Sequence, residues 1–227
     1  MTPSNRTALG VAGVPTLTPA GLGKGGIACS QINLHHCLAA TVECGGRMGV
    51  TRKTTTSNGQ RTKNLNNGQT STDRKQIILV QEPYWRDKKV KFFHDCNVYA
   101  SSADENRACI ISQKEVKGLL LHQFSNRDQT AVVFKLKNKD IIFCSEYMPS
   151  EPPQHVPSKL LIDLVEYAKS KKISLIVSAD SNAHNLVWGS TENNTRGEEL
   201  LDFIISKDLI VLNTGTNPTF ITNANGG

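Results

Sequence analysis

Apolar residues in this chain come in short unbroken runs, and most of the runs end abruptly in polar groups. Ile77–Val80 gives way to Gln-Glu-Pro, Ile141–Cys144 to Ser-Glu-Tyr, and Leu175–Val177 to Ser-Ala-Asp. A run of this length, bounded by turn-forming residues, reads as a strand buried on both faces. The pattern predicts strands over 26–34, 76–85, 98–100, 108–112, 119–124, 130–136, 139–150, 174–180 and 209–213, with 218–222 opening one more. Helical spacing predicts three helices. A short one follows His35-His36, with Cys37, Leu38, Thr41 and Val42 on one face, and ends at Gly45-Gly46. A second covers 156–172, its apolar face made by Leu160, Leu161, Leu164, Val165 and Ala168. The third begins at Thr195, where Thr195-x-x-Glu198 has the form of a capping box, and carries Leu200, Leu201, Ile204 and Ile205 inward. The order β-α-β, a run of strands, then β-α-β-α-β-β is too irregular for a simple parallel doubly wound sheet. Mixed sheets with helices outside suit it better.

Two stretches stand outside this pattern. Residues 1–25 are rich in Gly, Pro and Thr and read as a disordered tail without the apolar core of a signal peptide. Residues 45–75 are polar and aperiodic and read as a low-complexity insert in a single domain covering 26–227. Charge sharpens the second reading. The chain has a formal net charge of +6, and the stretch 45–76 holds seven basic residues and one acid. The excess therefore belongs to a tract, which is attractive to phosphate backbones. No apolar run approaches the roughly 20 residues that span a bilayer. The six cysteines form no C-x-x-C pair, so they read as reduced, partly buried thiols and not as a zinc site or a disulfide framework.

The polar strand ends carry the candidate chemistry. Asn33, Glu82, Tyr147, Asp180 and Asn182 all follow apolar runs, and ligands of α/β sheets commonly sit at the carboxyl ends of strands. Brought together, two carboxylates, two amides and a phenol suit Mg²⁺-assisted attack on a phosphodiester. Glu82 would be the oxygen ligand of a hard cation, and Asp180 would orient or deprotonate an attacking water. Asn182, two residues further on, would share a face with Asp180 in an extended chain and donate to a phosphate oxygen, as would Tyr147. Any one of these residues alone would more often be a turn former; the joint pattern raises the odds. Walker-type, Ser-His-Asp and H-E-x-x-H motifs do not occur.

The segments QEPY, EYMP and ADSNAHNLVWGS, followed by NTRGEELLDFIISKDLIVLNTGTNPTF, resemble the apurinic-endonuclease-like domain of jockey-type non-LTR retrotransposons. That domain belongs to the endonuclease/exonuclease/phosphatase superfamily. The resemblance covers about residues 26–224 and is strongest from Lys139 onward. It implies an α/β fold, a four-layer sandwich of two mixed sheets flanked by helices, here without its last strands. It implies Asn33, Tyr147, Asp180, Asn182 and Thr219 as catalytic residues, Glu82 as metal ligand and Mg²⁺ as cofactor. Arg196 and Trp188 are candidate DNA contacts, although Arg196 could equally pair within its own helix start and Trp188 is more often a loop anchor. His184 is expected to brace its loop, and His35 and His36 to open a helix. The resemblance further implies DNA as substrate, a downstream reverse-transcriptase domain as partner, and nuclear location. The family's closing Asp-bearing strand and Ser-Asp-His segment have no counterpart in the sequence, which predicts impaired nicking. Two other readings are a catalytically inactive DNA-binding remnant and a phosphatase or phosphodiesterase acting on small substrates.

Overall fold

The computed structural model describes residues 7–11, 27–37, 41, 44–45, 48, 75–102, 104–150 and 155–213. The expectations for the basic insert, apart from its ends, and for 218–222 with Thr219 lie outside these residues. The strands are β1 (Thr7–Val11), β2 (Ile27–Asn33), β3 (Lys75–Gln81), β4 (Trp85–Arg86), β5 (Lys89–Val90), β6 (Cys96–Tyr99), β7 (Ala108–Gln113), β8 (Gly118–Leu120), β9 (Gln129–Leu136), β10 (Lys139–Tyr147), β11 (Ser174–Asp180) and β12 (Ile210–Val211). The two long helices are α1 (Lys159–Lys171) and α2 (Thr195–Ser206); Thr41, Cys44 and Gly45 are helical too, within the short helix expected after His35-His36. One sheet runs β12-β1-β11-β10-β9-β8, a second runs β2-β3-β7-β6, and β4-β5 is a separate hairpin. Both large sheets are mixed. β10 is parallel to β11 and antiparallel to β9; β3 is parallel to β2 and antiparallel to β7.

Strand alternation sends each apolar run to two cores. Ile77 and Leu79 of β3 face Val132, Phe134 and Phe143 of the larger sheet, where Phe134 and Phe143 meet edge to face with centroids 5.6 Å apart. Ile78 and Val80 face the other way, onto Leu34, Cys44, Met48 and Phe93. On the far side of the larger sheet, Ile142, Cys144, Leu175, Val177 and Ala179 pack against Leu161, Leu164 and Val165 of α1 and Leu200, Phe203 and Ile204 of α2. The result is a layered α/β sandwich, as the irregular element order implies.

Several boundaries differ from the sequence expectation. Thr7–Val11 does not behave as a loose tail: it forms β1, parallel to β11 on one side and β12 on the other. The run Thr-Ala-Leu-Gly-Val is short, and the Gly- and Pro-rich flanks hide it. The run 76–85 is cut at Glu82, whose φ of 48° lies in the left-handed region and turns the chain before Pro83. Tyr84 and Trp85 consequently belong to the hairpin and not to β3. The expected strand 119–124 divides into β8 and a 3-10 turn at His122–Phe124. Of 209–213, only Ile210–Val211 pair. Helix α2 is capped by Asn194, not Thr195. Asn194 is extended and its side chain accepts from Gly197 N at 2.7 Å, while Thr195 is already helical.

Candidate active site

The two sheets carry β2, β3, β10 and β11 to a common rim, and a buried polar network fixes their relation. The Gln81 amide donates to Ser145 Oγ at 2.9 Å and to the Ser178 carbonyl at 3.1 Å; Ser145 Oγ donates to Val80 O at 2.8 Å. Gln81, Ser145 and Ser178 are fully buried. Each donor therefore needs its partner, because an unpaired buried polar group costs about 1–3 kcal/mol. One turn of the pleat beyond, Asn33 Nδ2 donates to Asp180 Oδ2 at 2.5 Å across the sheets. The Asn33 oxygen accepts from His35 N at 2.8 Å, so the amide is held at both ends.

Asp180 is a perturbed carboxylate on this rim. Burial raises its pKa, the hydrogen bond from Asn33 opposes the rise, and the charge of Glu82 adds to it. The backbone N–H of Asn182 also donates to Asp180. Asn182 itself is not extended: its φ is 48°. The expectation that alternation would place its side chain beside Asp180 fails for that reason. The left-handed turn sends its amide instead to Met148 O at 2.9 Å and to the Tyr147 hydroxyl. Tyr147 is half-buried. Its pKa is raised, first by burial and then by the charges of Glu82 and Asp180, so its hydroxyl stays a donor. The structure thus brings Asn33, Glu82, Tyr147, Asp180 and Asn182 together.

Residues not singled out in the sequence complete the rim. Arg107 lies over the Tyr147 ring, with Cζ 4.8 Å from its centroid. A two-point ion pair to Asp128, at 2.5 and 2.7 Å, holds it there. The Arg107 backbone carbonyl accepts from Glu82 N, and Tyr147 N donates to Asp128 O, which ties this pair to two strand ends. His35 and His36 lie not in the short helix but in a tight turn just ahead of its helical positions Thr41, Cys44 and Gly45, both at positive φ. Their rings reach Glu82, Nδ1 of His35 at 3.1 Å and Nε2 of His36 at 3.7 Å. The one available signal was the turn-forming position of a His pair immediately after a polar strand end.

Two expected DNA contacts sit elsewhere. Trp188 is 6% exposed, and its indole N–H donates to Ala183 O at 3.1 Å, so it anchors the loop and offers no stacking face. Arg196 donates to Ser181 O, Met148 O and Pro149 O at 2.9, 3.2 and 2.7 Å. It clasps the loops after β10 and β11, and burial lowers its pKa. His184 braces its loop as expected, through its backbone: N donates to the Asn194 side chain and O accepts from Asn194 N.

A family model described as endonuclease-reverse transcriptase matches residues 141–226, the part that supplies β10, β11, α1 and α2. The endonuclease domain of TRAS1, a telomere-specific non-LTR retrotransposon, superposes with a TM-score of 0.64. The alignment is 23% identical and covers 88% of this chain and 78% of that one. The chain has the fold of a retrotransposon endonuclease. No curated protein sequence matches it.

Endonucleases of this fold class generally work with a divalent metal. The donor set here suits a hard cation: Glu82 and Asp180 present carboxylate oxygens to the same rim, and the charge of each bears on Tyr147. The negative charge of Glu82 acting on Asp180 is repulsion that a cation would relieve. No group of three or more His, Cys, Asp or Glu side chains clusters as a metal cage among the described residues.

Proposed function

We propose that this chain is the DNA-cleaving domain of a non-LTR retroelement protein, hydrolysing one phosphodiester of target DNA to leave a 3′-hydroxyl for reverse transcription. The observation that carries this reading is the Asn33–Asp180 hydrogen bond across the two sheets, with Tyr147, Asn182 and Glu82 on the same rim. Glu82 would hold Mg²⁺, which when bound supplies polarisation of the phosphoryl oxygens and charge neutralisation at the leaving oxygen. Asp180, aimed by Asn33 and by the Asn182 N–H, orients the attacking water and takes its proton. Its burial favours this, because a carboxylate with a raised pKa is the stronger base. The Tyr147 hydroxyl, held by the Asn182 amide, is a donor for a non-bridging oxygen as charge develops on it. Arg107 holds the Tyr147 ring in place. DNA is the substrate, a linked reverse-transcriptase domain the partner that uses the 3′ end, and the nucleus the location where both meet target DNA.

Supercoiled plasmid reports a single nick directly. The expected result is conversion to open circle with Mg²⁺, abolished by chelation and reduced about 10²–10³-fold in Asp180→Asn. Asp180→Asn should still bind DNA. Release of phosphate from inositol phosphates with intact plasmid would establish the small-substrate reading instead. DNA binding with no cleavage, insensitive to Asp180→Asn, would establish a DNA-binding remnant.

A further inference from the structure

The hairpin β4–β5 interrupts the fold immediately after Glu82. Between Tyr84 and His94 the sequence holds four basic residues, Arg86, Lys88, Lys89 and Lys91, against one acid, Asp87. Pairing sets Arg86 directly opposite Lys89. Two like charges opposite each other on neighbouring strands destabilise the pair, so the hairpin gains nothing internally from this choice. Asp87 and Lys88 form the tip in left-handed conformations, with φ of 54° and 58°. The other two lysines are engaged, Lys88 with Asp104 and Lys91 with Asp87, both at 2.9 Å. Arg86 and Lys89 are exposed and take part in no ion pair among the described residues.

The hairpin does not dangle. The Trp85 indole N–H donates to Asn106 O at 2.5 Å, and the next residue, Arg107, lies over Tyr147. The cationic face is therefore fastened to the loop that supports the catalytic tyrosine. The hairpin and the residues after it line a cavity of ≈ 250 Å³, through Tyr84, Arg86, Asp87, Lys91, Phe92 and His94. Cationic side chains beside aromatic rings form the combination that holds a nucleic acid strand, the cations on phosphates and the rings against sugar and base.

We propose that the β4–β5 hairpin is a DNA subsite, in which Arg86 and Lys89 hold backbone phosphates of the strand flanking the cleaved bond and the Tyr84–Phe92 cavity receives a neighbouring nucleotide. This rests on the endonuclease reading for its position relative to cleavage, but its binding can be tested without cleavage. The probe is a short fluorescein-labelled DNA duplex, titrated by anisotropy in EDTA over a range of salt concentrations. In the double variant Arg86→Gln/Lys89→Gln the affinity should fall on the order of tenfold or more. The slope of log K against log salt should shrink by about 2, near one unit per lost phosphate contact. Lys137→Gln/Lys139→Gln removes the same charge at the opposite end of β10 and should change the slope little. Thermal unfolding should show both variants folded, the hairpin variant no less stable than the parent. Equal losses in the two double variants would overturn the subsite, because net charge alone would then explain binding. So would an unchanged slope in the hairpin variant while the parent chain nicks plasmid, and that result leaves the endonuclease reading standing. Hairpin-dependent binding without nicking would sink cleavage and keep the subsite. A parent chain that neither binds nor nicks DNA overturns both.

Discussion

Glu146 shows how one buried side chain makes the whole fold sensitive to pH. It is 1% exposed, and its Oε2 has no hydrogen-bond partner. Burial pushes its pKa up to about 8; a hydrogen bond with Ser158 opposes this and the charge of Asp128 adds to it. In the folded protein the carboxyl is therefore neutral at pH 7, while in the unfolded chain it ionises near 4.5. The unfolded state has lost a proton that the folded state retains, so stability falls as pH rises from about 4.5 to 8 and levels off above. Glu146→Gln keeps the shape and removes the titration. It should be more stable than the parent at pH 7 by about 3 kcal/mol at most, with the advantage shrinking toward pH 4. Urea unfolding across that range measures it; an advantage that does not vary with pH would mean that Glu146 does not titrate on unfolding. A second expectation at this scale concerns thiols. Cys37 is exposed, whereas Cys29, Cys44, Cys109 and Cys144 are buried, and burial raises Cys29 to about 12 and Cys144 well above its ordinary value. Maleimide should label Cys37 first in the native protein and reach those four only on unfolding, as mass spectrometry of the digested adduct would show.

Among elements, the loop from β11 to α2 is where local sequence and tertiary role diverge most. Gly197 sits where the first turn of α2 meets the carbonyl of His184. A Cβ there would lie 1.8 Å from that oxygen, closer than any real contact. Gly197→Ala, favourable for an isolated helix, should therefore destabilise by more than about 2 kcal/mol or prevent folding. A thermal melt that leaves the midpoint unchanged would show that the loop gives way easily. Arg196→Met, which removes three donors to carbonyls, should cost about 2–3 kcal/mol by the same melt. Neither role could be read in advance. Apolar runs such as 77–80 and 141–144 announce strands because a short unbroken run fits a strand buried on both faces better than an amphipathic helix. Their polar ends announce Asn33, Glu82, Tyr147 and Asp180. Arg196 looks like a surface group until the loops close over it, whereas Trp188 already reads more often as a loop anchor than as a stacking platform. Asn182 reaches the rim for a reason other than strand alternation, since a left-handed residue does not alternate. The hairpin is hidden because Tyr84 and Trp85 extend an apolar run across a break set by the backbone of Glu82. Its charge does not show in the total, because acids elsewhere cancel it.

At the scale of the molecule, the candidate rim exists only where two sheets meet, and Gln81 governs that meeting. Asn33 and Glu82 follow strands of one sheet; Tyr147 and Asp180 end strands of the other. Between them the Gln81 amide spans to Ser145 and Ser178, and the Gln31 amide adds a bond to Ala179 O at 3.3 Å. An apolar contact would hold the sheets together but would let them slide, because dispersion forces have no direction. Hydrogen bonds fix the offset. Gln81→Met fills the same volume and removes the bonds, so stability should fall only about 1–3 kcal/mol, leaving the protein folded at assay temperature. Plasmid nicking should fall further than that loss explains, by tenfold or more, because a misplacement of about 1 Å at reacting groups can cost on the order of a hundredfold. The Asn33–Asp180 bond should loosen with it, and the change should be seen as a lost downfield separation of the Asn33 amide protons by NMR. If nicking falls no more than the folded fraction does, the network stabilises the sandwich without aligning its rim, and the alignment must come from the backbone of the two sheets alone.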